Sequence, residues 1–259
     1  MINIAIRAAR SAGDVIMKAF DSSRPLEITP KGLHDYATQI DRQSEEAIIK
    51  VLHHAYPHHE ILGEESGVTG QNPNYQWIID PLDGTLNFIH GFPHFAVSIA
   101  LRINQSIEHG VIYDPVRNEL FTASRGQGAQ LDNRRLRVKE MPGLSNAFLG
   151  TGFPTRFPEQ LKPYTDLLQR FFEAGVVDIR RAGSAALDLA YVAAGRLDGF
   201  WETGLKAWDV AAGSLLISEA GGHVGDFSGG ENHLHGQEIV AGHFKLYKAM
   251  LQQIQRFRG

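Results

Sequence analysis

Apolar residues recur along the first twenty positions with the period of a helix. Ala5, Ala8, Ala12, Ile16 and Ala19 fall on one face, and Arg7, Ser11, Asp14 and Lys18 on the opposite one. A second helix is predicted over about 41–55, with Ile48, Val51, Leu52 and Ala55 turned inward. Strands are predicted at 60–62, 76–79 and 96–101. From 106 to 136 the pattern is antiparallel β, with short runs at 108–112, 119–123 and 128–131. Asp-Pro, Arg-Gly and Asp-Asn turns separate them.

The pattern changes near Pro142-Gly143. Strands now alternate with helices: strands at 147–149, 176–180, 197–201 and 239–241, helices at 158–172, 185–194, 210–220 and 245–255. This predicts an α+β fold with an α+β lobe at 1–141 and an α/β lobe at 142–259. There is no repeat, low-complexity stretch or long linker, so the lobes are expected to pack tightly as one unit.

Composition narrows the function. The 259 residues carry a formal net charge of −4, with 43% hydrophobic residues, enough for a sizeable core. No basic excess favours binding along a nucleic-acid backbone. The absence of cysteine removes disulfides, zinc–thiolate sites and thiol nucleophiles, and suits a reducing cytoplasm. Arg7, Arg10 and Asp14 interrupt any secretory apolar run, and the amphipathic start reads as a first helix of the fold rather than a transit peptide. No apolar stretch approaches the ~20 residues of a membrane span.

The chemistry concentrates in Trp77-Ile-Ile-Asp80-Pro-Leu-Asp83-Gly-Thr85-Leu-Asn-Phe88. An apolar strand runs into two carboxylates three apart. Pro81 is expected to bend the chain there and end the strand. Gly84 permits close approach of a ligand, and the residues after it can open a helix whose amides favour an anion. Two further segments look alike: Gly63-Glu64-Glu65-Ser66 after a short strand, and Trp208-Asp209-Val-Ala-Ala-Gly213 at a helix start. Taken singly, these read as a turn, a solvated strand end and a helix cap. Together, Glu64, Asp80, Asp83 and Asp209 suit two or three hard divalent cations such as magnesium.

Other signals lead elsewhere or nowhere. His53-His54-Ala-Tyr-Pro-His58-His59 reads as surface histidines at a helix end. The glycines around 126–128 and 150–152 lack the spacing of a dinucleotide fingerprint. Ser66 and Ser184 lack a histidine and acid at a hydrolase spacing. Arg134-Arg135-Leu-Arg137 reads as a solvated basic arm.

The strings Asp80-Pro-Leu-Asp-Gly-Thr85, Gly63-Glu-Glu-Ser66 and Trp208-Asp-Val-Ala-Ala-Gly213 resemble the signatures of the inositol monophosphatase family, which is magnesium-dependent and lithium-sensitive. Gly183-Ser-Ala-Ala-Leu-Asp-Leu-Ala190 and Arg117-Asn-Glu-Leu-Phe-Thr122 resemble its bacterial extragenic-suppressor branch. The resemblance spans nearly the whole chain. It implies a layered αβαβα sandwich and a homodimer. It also implies that Glu64, Asp80 and the Leu82 carbonyl hold one Mg2+, that Asp80, Asp83 and Asp209 hold a second, and that Glu64 helps hold a third. Asp41 and Thr85 would position the attacking water, and the Gly84 and Thr85 amides would bind phosphate. Glu202, Gly183, Ser184 and Ala185 would face the alcohol portion, with Arg180 near the substrate. Leu86 stands where many members have threonine, a departure expected to tune packing.

The expected reaction is hydrolysis of inositol 1-phosphate by metal-activated water. No phosphoenzyme is expected, because no histidine or cysteine nucleophile accompanies the acids. Fructose-1,6-bisphosphatase and nucleotide 3′-phosphatase activities are the enzymatic alternatives. The resemblance also implies partners in transcription antitermination, including RNA polymerase, and a cytoplasmic location.

Overall fold

The alanine-rich face of the first segment lets a helix lie close against its neighbours. In the computed structural model, which describes residues 1–22, 25–33 and 35–258, that segment is α1 (Ile2–Phe20), with Ala5, Ala8, Ala9, Ala12 and Ile16 buried. A hairpin of β1 (Ile28–Gly32) and β2 (Asp35–Thr38) follows and leads into α2 (Gln39–Ala55). Then come β3 (His59–Gly63), β4 (Gly67–Thr69), the long β5 (Asn72–Asp83) and a single turn of helix, α3 (Thr85–Ile89). A meander completes the first half: β6 (Ala96–Ile103), β7 (Ser106–Asp114), β8 (Glu119–Ser124), β9 (Gly128–Leu131) and β10 (Arg134–Arg135).

The second half runs β11 (Phe148–Thr151), α4 (Pro158–Glu173), β12 (Asp178–Arg180), α5 (Ala185–Ala193), β13 (Gly199–Thr203) and α6 (Ala207–Glu219). It closes with β14 (His223–Gly225), β15 (Glu238–Gly242) and α7 (Phe244–Arg258).

Two larger sheets form. The first has eight strands in the order β10-β9-β8-β7-β6-β5-β3-β4, antiparallel except for the β3–β5 pair. The second has five, β12-β11-β13-β15-β14, with β11 parallel to both neighbours and β15 antiparallel to both of its own. The alternation of side chains along each strand distributes the core into three slabs. Trp77 and Ile79 face α1 and α2, whereas Ile78 faces α5 and α6. Phe200, Ile239 and Ala241 meet α5 and α6 from the second sheet, and Trp201 and Val240 face away toward α4 and α7. The result is the five-layer αβαβα sandwich, with α5 and α6 as a buried central layer.

One sequence expectation is corrected here. β5 does not stop at Pro81; it continues to Asp83 through a bulge. Proline is tolerated because a bulge leaves one residue out of the hydrogen-bond ladder. The second sheet is mixed: β15 runs antiparallel to β13 and β14, and the β14–β15 link carries only the 3-10 turn Asn232–Leu234. The β1–β2 hairpin was not expected, because β1 is exposed at every position and carries no alternating apolar face.

Candidate active site

Residues three apart on a regular strand point to opposite faces. On β5, Asp80 pairs with Ser98 and Asp83 with Ala96, so three steps on one strand match two on the other. The extra residue turns both carboxylates to one side. The Ser44 hydroxyl on α2 donates to the Pro81 carbonyl at 2.8 Å and fixes the bulge. The Leu82 amide donates to Asp80 Oδ1 at 3.0 Å. Gly84 follows at φ 95°, in the left-handed region, and a Cβ there would lie 3.0 Å from the His94 carbonyl oxygen. Both facts require glycine.

Asp41 belongs to the first turn of α2, which starts two residues earlier than expected, with Thr38 as its cap. Asp41 Oδ2 accepts from the Thr38 amide and hydroxyl, each at 2.7 Å. This capping box orients the other oxygen, Oδ1, which lies 2.8 Å from Thr85 Oγ1. The Leu82 carbonyl stands 3.0 Å from the same hydroxyl. Glu64 follows the end of β3, where its amide donates to the Ile79 carbonyl at 3.2 Å. Buried Glu45 accepts from the next amide, Glu65, at 3.0 Å. Lys31 of β1 reaches over to Glu64 Oε1 at 2.9 Å and also pairs with Glu65.

The second half supplies the opposite wall. Asp209 sits in the first turn of α6, and its Oδ2 accepts from the Lys206 amide at 2.6 Å. The Trp208 carbonyl accepts from Ser98 Oγ at 3.1 Å and ties this helix end to the first sheet. Ser184 caps α5, and its hydroxyl donates to Asp83 Oδ2 at 2.5 Å. The Ala186 amide donates to the same oxygen at 2.7 Å. A cavity of about 400 Å3 opens between these walls, lined by Glu64, Asp80, Leu82, Asp83, Gly84, Thr85, Gly183, Ala185, Glu202 and Asp209. Leu86 lines it as well and is half-exposed rather than packed.

One expected residue lies elsewhere. The Arg180 guanidinium pairs with Asp178 at 2.5 Å and lies over the Phe148 ring, outside the cavity lining. Its neighbour Arg181 lines the cavity instead. Adjacent residues on an extended segment alternate sides, so only one of the two arginines can reach the site.

Electrostatically the cavity is a crowd of acids. Burial, then Glu64, Asp83 and Asp209, push Asp80 well above the usual carboxylate range. Burial lifts Asp83 to about 6, even though Ser184 and Ala186 pull the other way. Burial and then Asp83 and Glu64 lift Asp209 to about 8. Glu202 also rises to about 8, through burial and then Asp209, with Arg181 opposing. One carboxylate oxygen from each of Asp80, Asp83 and Asp209 lies within 4.8 Å of the others. Such a cluster needs positive charge from outside itself.

The profile of the inositol monophosphatase family matches residues 1–258 of this sequence. The chain belongs to the inositol monophosphatase family. It is 52% identical over 260 residues to the Nus factor SuhB of Pseudomonas aeruginosa, covering 98% of this chain and 96% of that one. It is 51% identical over 256 residues to the Nus factor SuhB of Escherichia coli, with the same coverage. Among solved structures, the extragenic suppressor protein SuhB of Bartonella henselae superposes with a TM-score of 0.94 at 43% identity, covering 98% of both chains. An inositol monophosphatase from Anabaena superposes at 0.86 with 36% identity, covering 98% of this chain and 95% of that one.

For a member of this phosphatase family, the donor set fits a hard divalent cation. Every candidate ligand is an oxygen, one oxygen on each aspartate is pinned by a hydrogen-bond donor, and the repulsion that raises their proton affinity is relieved by a cation. The sequence reading missed Lys31, Ser44, Glu45 and Arg181. The Thr38–Asp41 capping box was missed too, and no local signal marks Ser44 or Glu45, whose partners lie on β5 and after β3.

Proposed function

We propose that this chain is a magnesium-dependent phosphatase of a small phosphorylated polyol, foremost inositol 1-phosphate. The observation that carries the reading is the cluster of buried Asp80 with half-buried Asp83 and Asp209, in the cavity that also holds Thr85, the hydrogen-bond partner of Asp41. Two or three magnesium ions held by Glu64, Asp80, the Leu82 carbonyl, Asp83 and Asp209 would supply the charge that offsets phosphoryl oxygens and acidifies a water. The chain's own residues do the rest. Asp41 accepts a hydrogen bond from the Thr85 hydroxyl, which turns the hydroxyl lone pairs toward the attacking water. The Gly84 and Thr85 amides bind the phosphate. Glu64 lines the same cavity and orients the water with this pair. Glu202, Gly183, Ser184 and Ala185 face the alcohol portion, and Arg181 takes the place near the substrate that the resemblance gives to Arg180.

Phosphate release from inositol 1-phosphate with magnesium, with and without lithium, tests this reading. Fructose 1,6-bisphosphate and 3′-phosphoadenosine phosphate serve as competing substrates. Magnesium-dependent, lithium-inhibited turnover that prefers the inositol ester supports it; turnover of none of the three defeats it.

A second reading is favoured by the name Nus factor that the relatives at 51–52% identity carry. On it, the chain acts in transcription antitermination with RNA polymerase, as a cytoplasmic homodimer that also binds transcription factors. Among the described residues no helix is long and apolar enough to cross a membrane. Capture from lysate on immobilised Asp83→Asn protein separates the readings. Polymerase retained by the inactive variant means the surface works independently of the site.

A further inference from the structure

Glu202 is the second-last residue of β13, and its carboxylate lies against Gly152, where a Cβ would overlap it. Gly152 follows the end of β11, whose last residue, Thr151, pairs with Trp201. The Thr151 hydroxyl is thereby set between the two peptides that bracket this carboxylate. Its Oγ1 lies 2.8 Å from the Trp201 carbonyl oxygen, in the peptide that leads into Glu202, and 3.2 Å from the Gly152 carbonyl oxygen. Tyr164 of α4 reaches the same point from the outer layer. Its Oη lies 2.7 Å from Thr151 Oγ1 and 3.2 Å from the Trp201 carbonyl oxygen. Thr151 and Tyr164 are both buried. Each hydroxyl carries one proton, and the two shortest contacts are satisfied together when Tyr164 donates to Thr151 and Thr151 to the Trp201 carbonyl. In a dry interior, such a chain of hydrogen bonds holds its members more firmly than either bond alone. Burial, then Glu202, keep the Tyr164 phenol well above its ordinary range, so it remains a donor.

We propose that Thr151 and Tyr164 are positioning residues: they clamp the Trp201–Glu202 peptide beside Gly152 and so hold the Glu202 carboxylate where it faces the alcohol portion of the substrate. Two neutral hydroxyls do this without adding charge to a cavity that already holds Asp80, Asp83 and Asp209. Thr151→Val keeps the shape of the side chain and loses the hydroxyl, whereas Thr151→Ser keeps the hydroxyl. Tyr164→Phe loses Oη and keeps the ring that meets Phe153 edge to face. The effect on substrate rests on the reading of the chain as a polyol phosphatase; the placement of Glu202 does not.

Kinetics and a crystal structure test it. In steady-state hydrolysis of inositol 1-phosphate, Thr151→Val is expected to raise KM about fivefold and Tyr164→Phe about threefold, each with kcat within about twofold, as loss of a buried hydrogen bond predicts. Thr151→Ser is expected to keep KM within about twofold of the parent. Inhibition by inorganic phosphate, which has no alcohol portion, is expected to be unchanged in these variants. Added to Glu202→Ala, Thr151→Val is expected to change nothing further, because it acts through the side chain already removed. A crystal structure of Thr151→Val is expected to show the Glu202 carboxylate displaced from Gly152. A folded Thr151→Val protein with the parental KM overturns the proposal, and so does phosphate inhibition that weakens in step with KM. If the parent turns over no phosphate ester, the functional reading has failed, and the crystal structure still decides the placement: Glu202 displaced upholds the clamp, and Glu202 unmoved overturns it.

Discussion

Asp83, Asp209 and Glu202 bind protons more tightly in the folded chain than in the unfolded one. Asp83 rises to about 6 and the other two to about 8, mainly through burial. A carboxyl group raised on folding stabilises the fold at low pH, and that contribution is lost as pH climbs through the folded value. The metal-free protein is therefore expected to lose Tm steadily between pH about 4, the ordinary carboxylate range, and pH about 8. Magnesium is expected to flatten that slope, and melts across the range with and without the ion check both. Asp83→Asn removes one of the crowded charges and keeps an oxygen for Ser184 and Ala186. It is expected to hold or raise the metal-free Tm while turnover drops roughly 100-fold or more, given that even outer-shell changes at metal sites cost 10–100-fold. Gly152→Ala places a methyl where the Glu202 carboxylate lies, so KM is expected to rise while circular dichroism stays unchanged.

At the scale of the element, the bulge in β5 decides where the site forms. Its register depends on Ser44, whose hydroxyl reaches the Pro81 carbonyl from α2. Ser44→Ala leaves that carbonyl without its donor and is expected to cost about 1–3 kcal/mol in thermal or denaturant unfolding. The same variant is expected to weaken magnesium binding in isothermal titration, since Asp80 and Asp83 lose their fixed relation. An unchanged affinity with lowered stability would confine Ser44 to a structural role. The Asp80-Pro-Leu-Asp83 string announced two acids, but alternation alone would have set them on opposite faces. Only pairing with Ser98 and Ala96 on β6 reveals that they share one. The start of α5 was legible at 185, where Ser184 caps through a neighbour in sequence, whereas α2 begins at Gln39 and α6 at Ala207, two and three residues before the expected starts.

At the scale of the molecule, both sheets rest on the same two central helices. Leu216 of α6 is fully buried in the core they share, and Leu216→Ala is expected to cost about 2–5 kcal/mol. Because that loss is felt by both sheets, the chain is expected to unfold as one cooperative unit. Trp77 of the first sheet and Trp201 of the second, each followed in a single-tryptophan variant, are expected to report the same denaturant midpoint; two separate midpoints would mean independent lobes. The central layer also explains the position of the site. The strand ends carrying Glu64, Asp80 and Asp83 come from one sheet, and the end carrying Glu202 from the other. The starts of α5 and α6 bring Ser184 and Asp209 between them. The sequence by itself determined the helices with a periodic apolar face, the meander with its turn residues, and the acids that mark a cation site. Those signals are local, set by spacing along the chain and by which side chains carry oxygen. The bulge, the choice of Arg181 over Arg180, the support from Ser44 and Glu45, and the packing of Gly152 against Glu202 were decided only by tertiary structure. Each depends on a partner distant in sequence, and only the packing of the layers brings that partner within a few ångströms.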